Sequence, residues 1–401
     1  VRLVELVEDQ TLRLEAGWCS QEEALRLHQH HHHLVQLEFP SPLHPAHYLL
    51  RSRGWAGQFT AGGLHLLLRP KVPLGNLFGM MERAYGFQGL EFGPGEIHNQ
   101  RLGEMFGRLA GLLARGVQAR LRQGLYREYR EGEGELGFLR GRLLFPPARR
   151  PGLLRCLYHE HSAEIPDNHI LAWTLHRLRQ CRFADPEVEA QLRRTHHLIA
   201  DLVEARPVQP EACVGRTYHR LNQEYRPLHG LCRFFLEHSG PLLEAGDHPF
   251  TPFAVHLPTL FERFVASWLH HHLPRGLHLE VQHRAPLEGS QGLAFRVDLV
   301  LRARPRGPVL AIMDTKYKND REPASEDVQQ VVAYAVRLGA PRAFLIYPSA
   351  ATQARRIRVG GVQVRTLAFA LEGDLEASGQ RVCEEVLAGF TTAPGSGRAG
   401  R

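Results

Sequence analysis

Asp314 and Lys316 stand two residues apart in "VLAIMDTKYK". The apolar run before them reads as a strand, and alternate residues of a strand share a face. Both therefore point the same way as Ile312, while Met313 and Thr315 face the other side. The preceding apolar run, "LAFRVDLVL", carries Asp298 among Phe295, Val297 and Leu299, residues suited to burial. If the two strands pair through the turn "RPRGP" at 304–308, Asp298 lies beside Asp314 at one end of a sheet. Two carboxylates that close repel unless they share a proton or meet a hard divalent cation. Magnesium takes oxygen from one or two carboxylates and keeps several waters. A lysine beside such a pair can orient an attacking water, help deprotonate it and balance charge on a pentavalent phosphorus. A DxK triplet alone is common and more often marks a surface salt bridge. Here it follows two apolar strands, one with a lone Asp, and precedes a helix carrying Gln330 and Tyr334. The combination points to metal-dependent phosphodiester chemistry.

Lysine usage sharpens this. All but three of the 49 Lys and Arg residues are arginine, the exceptions being Lys71, Lys316 and Lys318. Arginine stays protonated behind a bulky fork, whereas lysine is a compact charge whose pKa moves with its surroundings. That is a physical reason for Lys316 to persist in an arginine-rich chain. Lys318 shares its parity and is a candidate phosphate contact.

Elements must hold these residues. Residues 1–98 are expected to form a β-rich region, with "GLHLLLRPKVPLGNLFGMMERAYGF" as strand, proline-bounded turn and helix. Residues 99–245 are expected to be a helical middle region, because apolar residues recur there at three- and four-residue steps. Within it "YREYREGEGELGFLRGRLLF" predicts a short hairpin. "PDNHILAWTLHRLRQC", "DPEVEAQLRRTHHLIADLVEA" and "RTYHRLNQEYRPLHGLCRFFLEHSG" predict helices, the first two opening with Asp near Pro. Residues 246–390 predict helix, three strands, helix, strand, strand and helix, an α/β domain. Residues 391–401 are an expected disordered tail. The fold class is thus α+β and multidomain.

Composition narrows the class. Hydrophobic residues make up 43% and charged residues 23% of 401, as in soluble globular proteins. No apolar run is long enough for a membrane span, and "VRLVELVEDQ" lacks the apolar core of a signal peptide. A cytoplasmic protein is expected. The six cysteines are isolated, with no CxxC, which argues against zinc ribbons and disulfide scaffolds. A formal charge of +7 is compatible with binding nucleic-acid phosphates.

At these residues the chain resembles the PD-(D/E)xK nuclease superfamily and, within it, the McrC family, the nuclease subunit of McrBC-type modified-cytosine restriction systems. The resemblance covers most of the chain. "LFERFV" with Glu262 is similar to the family's first-helix acid, "RVDLVL" with Asp298 to its "PDivL" strand, and "MDTKYK" with Asp314 and Lys316 to its "DaKYK". "DVQQVVAYA" resembles its D-x-x-Q-x-x-x-Y helix, with Gln330 and Tyr334, and "LIYP" is similar too. "GGLHLLLRPKVPLGN" and "EIPDNHILAWTL" resemble segments outside the nuclease domain. Val297 stands where the family has Pro, a departure that touches backbone shape and not chemistry.

The resemblance implies a restriction-endonuclease-like domain that cleaves double-stranded DNA with Mg2+ or Mn2+. Asp298, Asp314 and the Thr315 carbonyl would bind metal, and Glu262 would bind it or orient its water. Lys316 would serve the water and the transition state, while Gln330 and Tyr334 would position DNA or the lysine. It also implies a partner, a hexameric AAA+ McrB-like GTPase, into which the β-rich N-terminal region would dock and whose GTP hydrolysis it would stimulate. The loop bearing Lys71 is a residue-level place to test that. A Walker A loop needs Lys before Ser or Thr; the lysines here precede Val72, Tyr317 and Asn319, so GTP enters only through the partner. Two other readings stand beside this one. One is a stand-alone PD-(D/E)xK repair or defence nuclease; the other is a non-catalytic, GTPase-stimulating DNA-binding subunit. The histidine-rich "HQHHHH" at 28–33 points its side chains in many directions and predicts adventitious rather than specific metal binding.

Overall fold

The computed structural model describes residues 2–15, 17–61, 63–90, 101–146, 148–239, 252–287, 289, 292–318 and 320–391. Mixed α and β structure falls into two compact units. One comprises Val1–Gly57, Ala61–Ala84 and Ala254–Arg401; the other comprises Gln58–Thr60 and Tyr85–Phe253. The expected boundaries near 98 and 245 lie outside the described residues, as does the expected tail beyond 391. Among the described residues no helix is long and apolar enough to cross a membrane.

The first unit opens with β1 (Arg2–Val7), β2 (Thr11–Glu15), α1 (Gln21–His31), β3 (Val35–Glu38), β4 (His47–Ser52), β5 (Trp55–Ala61), β6 (Leu64–Arg69) and α2 (Leu74–Tyr85). Helix α1 starts at a reciprocal cap. Ser20 Oγ accepts from Glu23 N at 3.1 Å, and Glu23 Oε2 accepts from Ser20 N at 2.8 Å. The histidines at its end go to different surroundings. His31 is buried, His28 packs edge-on to Phe39, and His33 packs against Trp55.

In the second unit, α3 (Leu102–Gln123) leads into β7 (Glu128–Leu136), β8 (Arg142–Leu143) and β9 (Leu154–Ser162). Helices α4 (Pro166–Leu178), α5 (Pro186–Ala200) and α6 (Tyr225–His238) follow, with a 3-10 turn at Pro210–Cys213. Two expectations need correction here. The predicted hairpin does not close on itself, because the sheet order is β7-β9-β8. A ladder from Glu128↔Ser162 to Leu136↔Leu154 outcompetes any pairing that two-residue β8 could offer β7. The third predicted helix begins at Tyr225, not Arg216. Asn222 Oδ1 accepts from His219 N at 2.7 Å, a local turn that competes with helix.

Strand β10 (Phe253–His256) closes a four-stranded sheet of order β1-β6-β5-β10. The rest of the first unit is α7 (Leu257–His272), β11 (His278–Pro286), β12 (Ala294–Arg302), β13 (Val309–Thr315), α8 (Ser325–Leu338), β14 (Arg342–Tyr347), β15 (Arg356–Val359), β16 (Val362–Ala368) and α9 (Leu375–Thr391). Its sheet runs β11-β12-β13-β14-β16-β15. β13, β14 and β16 are parallel neighbours, and α8 crosses between the first two. Residues 311–314 and 343–347 are buried on both faces, as strands covered on both sides must be. Helix α8 sets Val331 and Ala335 against Ile312, Ala343, Leu345 and Val364. Its C-terminus is closed by left-handed Gly339 (φ 67°).

Candidate active site

The register of the central strands opens at one residue. β12 pairs with β13 through Leu299↔Met313, and the ladder stops there, where Asp298 and Asp314 would come next. On the other side, β11 pairs through Val281↔Leu299 and His283↔Val297 and skips the position between, Gln282 opposite Asp298. Gln282 has φ 53°, a left-handed backbone that a strand residue rarely adopts. Asp298 thus sits where both neighbouring ladders part, and its carboxylate is free to meet other groups. Its Oδ2 accepts from Thr315 N and Thr315 Oγ1, each at 2.9 Å.

Asp314 is 3% exposed. Its Oδ2 lies 2.7 Å from Lys316 Nζ but accepts no hydrogen bond of normal geometry. Burial raises the Asp314 carboxyl to about 6, the Asp298 charge adds to the rise, and Lys316 opposes it. Glu262 comes from α7, whose buried stripe Leu257, Leu260, Phe261, Phe264, Val265, Trp268 and Leu269 fixes the helix face. Burial lifts Glu262 to about 7, again with help from Asp298. Gln282 Nε2 donates to Glu262 Oε1, and Arg296 Nε donates to Gln282 Oε1. Burial pulls Lys316 down, but Asp314, Asp327 and Asp298 outweigh it, so its net shift is upward and it is held as an ammonium.

Helix α8 supplies the other wall. Lys316 Nζ donates to Gln330 Oε1 at 2.7 Å, and Gln330 Nε2 donates to Tyr334 OH at 2.6 Å. Asp327, the first residue of the D-x-x-Q-x-x-x-Y segment but not among the expected site residues, is 4% exposed. It receives Lys318 Nζ at 3.1 and 3.3 Å and Tyr347 OH at 3.2 Å, and it lies 3.8 Å from Lys316 Nζ. Lys318 is therefore engaged with a buried acid. A sequence signal existed: Asp327 falls on the apolar stripe with Val331, Tyr334 and Ala335. Gln282 and Arg296 were missed as well, and their roles arise only from register.

The segment "MDTKYK" also reaches the N-terminal strands of the same unit. Tyr317 OH donates to Glu8 Oε2 at 3.2 Å, and the same oxygen accepts from Lys71 N at 3.2 Å. Lys71 Nζ is ion-paired with Asp9. Lys71 therefore sits on a small cleft with Tyr317 and Lys318 and not on a detached loop.

Among the described residues, no three His, Cys, Asp or Glu side chains form a ready-made metal cage. The donor set still suits magnesium, which needs only one or two carboxylates and completes its shell with water. Asp298, Asp314 and Asp327 gather about Lys316 and Lys318, and Glu262 lies in the field of Asp298, opposed by Arg296 and Arg263. The carboxyls of Glu262 and Asp314 are raised first by burial and then by the Asp298 charge.

No curated protein matches the chain. Among solved structures, it is similar to a chain of the half-complex from the tetradecameric assembly of Thermococcus gammatolerans McrB AAA+ hexamers with bound McrC. Identity is 18%, the TM-score is 0.55, and the match covers 96% of this chain and 100% of that one. A chain of the Thermococcus gammatolerans McrBC complex is also matched, at 18% identity and a TM-score of 0.44, over 68% of this chain and 88% of that one. The family model described as "McrBC 5-methylcytosine restriction system component" matches residues 54–348. Spanning well over half of the sequence and both compact units, that match makes the chain a member of the McrBC family.

Proposed function

We propose that the chain is the nuclease subunit of a modified-cytosine restriction system, cutting double-stranded DNA when assembled with an AAA+ GTPase ring. The observation that carries this is the meeting of Asp298, Asp314 and Lys316 where the β12 ladders part, with Glu262 sensing the same charge. The arrangement resembles that of the PD-(D/E)xK fold, to which we assign α7 through β14. Asp298 and Asp314 would hold Mg2+ or Mn2+, with the Thr315 carbonyl and Glu262 as further oxygen donors. The metal would lower the pKa of water and stabilise charge developing on phosphorus. Lys316 keeps its proton and presents a compact cation beside that charge. Gln330 and Tyr334 orient the ammonium through a hydrogen-bond chain. Gln282 and Arg296 hold Glu262 at the edge of the cleft.

For the partner, one feature of the second unit favours a docking surface. Around one end of the β7-β9-β8 sheet, Phe138, Leu139 and Phe145 are between 62% and 81% exposed. Exposed apolar clusters of this kind mark interaction surfaces. We assign docking to this sheet in place of the N-terminal region.

The test is single-turnover cleavage of methylated duplex DNA with the GTPase partner and Mg2+. Asp314→Asn and Lys316→Ala should each lose about 100-fold or more, the scale of removing one group that meets developing charge. Lys316→Arg should not recover activity, since the fork cannot replace the ammonium. Cleavage at parental rates by both Asp314→Asn and Lys316→Ala would refute the assignment. Cutting by the isolated chain without nucleotide would favour a stand-alone nuclease.

A further inference from the structure

The sheet that carries the candidate active site has a second, differently charged place. Edge strand β15 pairs with β16 through Arg356↔Arg365 and Arg358↔Gln363. β16 pairs with β14 through Arg342↔Gln363. Cross-strand partners share a face and side chains alternate along a strand. Arg342, Arg356, Arg358 and Arg365 therefore stand on one face, while Ile357, Val364 and Ala343 turn to the α8 core. Of these arginines, Arg365 is answered by Glu385 of α9. The neighbouring Glu322 is taken by Arg355. Arg342 lies over the Phe390 ring, 4.9 Å from its centroid. Among the described residues, Arg342, Arg356 and Arg358 have no carboxylate partner. The three line an open cavity of about 560 Å³ with Gln363, and among the described residues no acid lines it.

The position is separate from the Asp298–Asp314–Lys316 cluster. β13 and β14 are parallel, with Thr315 beside Ile346 at one end, and Arg342 begins β14 at the other. Four strand steps put the two ends roughly 13 Å apart. Guanidinium forks match phosphate oxygens geometrically. Arg356 and Arg358 are spaced by about 6.6 Å along the edge, close to the rise of about two nucleotides on one DNA strand. An open sheet edge suits an extended polyanion running across it.

We propose that Arg342, Arg356 and Arg358 form a backbone-phosphate contact for duplex DNA, apart from the point of cleavage and indifferent to base sequence. The inference rests on the proposed function only in taking duplex DNA as the substrate.

Anisotropy with a labelled 30-base-pair duplex in EDTA, between 50 and 200 mM salt, tests it without any cleavage. Arg356→Gln/Arg358→Gln should bind more weakly, with the slope of log K against log salt reduced by about two. The loss should be equal for unrelated duplex sequences, and Arg356→Lys/Arg358→Lys should keep most of the slope. Thermal melting equal to the parent checks that the double variant folds. Parental affinity and slope in the glutamine variant would overturn the contact and leave the nuclease reading standing. Unchanged DNA binding with loss of partner-stimulated GTP hydrolysis would assign the edge to a protein and also overturn it. A reduced slope, with Asp314→Asn cutting normally, would keep the contact and remove the nuclease reading.

Discussion

Glu262 and Asp314 owe their raised carboxyls first to burial and then to Asp298, so each keeps its proton to a higher pH than a free carboxylate does. The consequence for stability has a definite sign. An acid whose folded value lies above its unfolded one holds a proton that the unfolded chain has already released. Stability from such a group is present at low pH and lost as pH rises from the ordinary carboxylate range to about 7 for Glu262. In EDTA, Glu262→Gln should therefore melt a few degrees above the parent at pH 8. The advantage should vanish at pH 4, below both the unfolded and the folded values. Mg2+ should raise the melting point of the parent more than that of the variant at pH 8. A melting difference that is the same at both pH values would sink this account of Glu262. Lys316 belongs to the same balance, because Asp314, Asp327 and Asp298 keep it charged against its own burial.

Helix α7 can carry Glu262 only if its back is fixed, and α9 fixes it. Trp268 is fully buried, stacked on His272 at 4.3 Å, with the Arg83 guanidinium 4.0 Å from its ring centroid. Gly379 of α9 faces that ring, and a methyl group there would overlap it. A ring held on both sides cannot step aside, so Gly379→Ala should destabilise the unit by about 1–3 kcal/mol in urea unfolding. Gly75→Ala, with open space around its Cβ position, is the control and should be neutral or slightly stabilising. Equal midpoints for the two variants would show that the packing is looser than this. The same elements explain what was legible beforehand. Strand periodicity alone aligned Asp298, Asp314 and Lys316, because apolar runs on both sides leave few ways to be wrong. Gln282 was not legible, since its contact needs a left-handed residue in β11 and the register of β11 on β12. β15 is four residues long, three of them exposed, too short and too polar to read as a strand. The β7–β9 pairing was hidden because the partner strand lies beyond a proline-rich return, and short-range pattern favours the nearest neighbour.

At the scale of the whole molecule, the two compact units divide the proposed work. The candidate active site and the arginine edge belong to the first unit, and the exposed sheet belongs to the second. The sheet has little core of its own. β7 is exposed over its first four residues and then alternates between half-buried and exposed ones, and only Cys156 of β9 is fully buried. Phe138 at 64% and Phe145 at 81% exposure add apolar surface that water disfavours. Such surface is retained when a partner covers it. Because neither phenylalanine packs into a core, replacing both should leave folding intact while removing the proposed partner contact. Phe138→Ser/Phe145→Ser should lose about tenfold or more of partner-stimulated GTP hydrolysis, the scale of one or two interface anchors. DNA-dependent cleavage through the partner should fall with it. Its duplex-DNA affinity and salt slope should match the parent, since the arginine edge is untouched. Full stimulation of GTP hydrolysis by this variant would move the docking surface elsewhere, with the N-terminal strands around Lys71 as the next segment to alter.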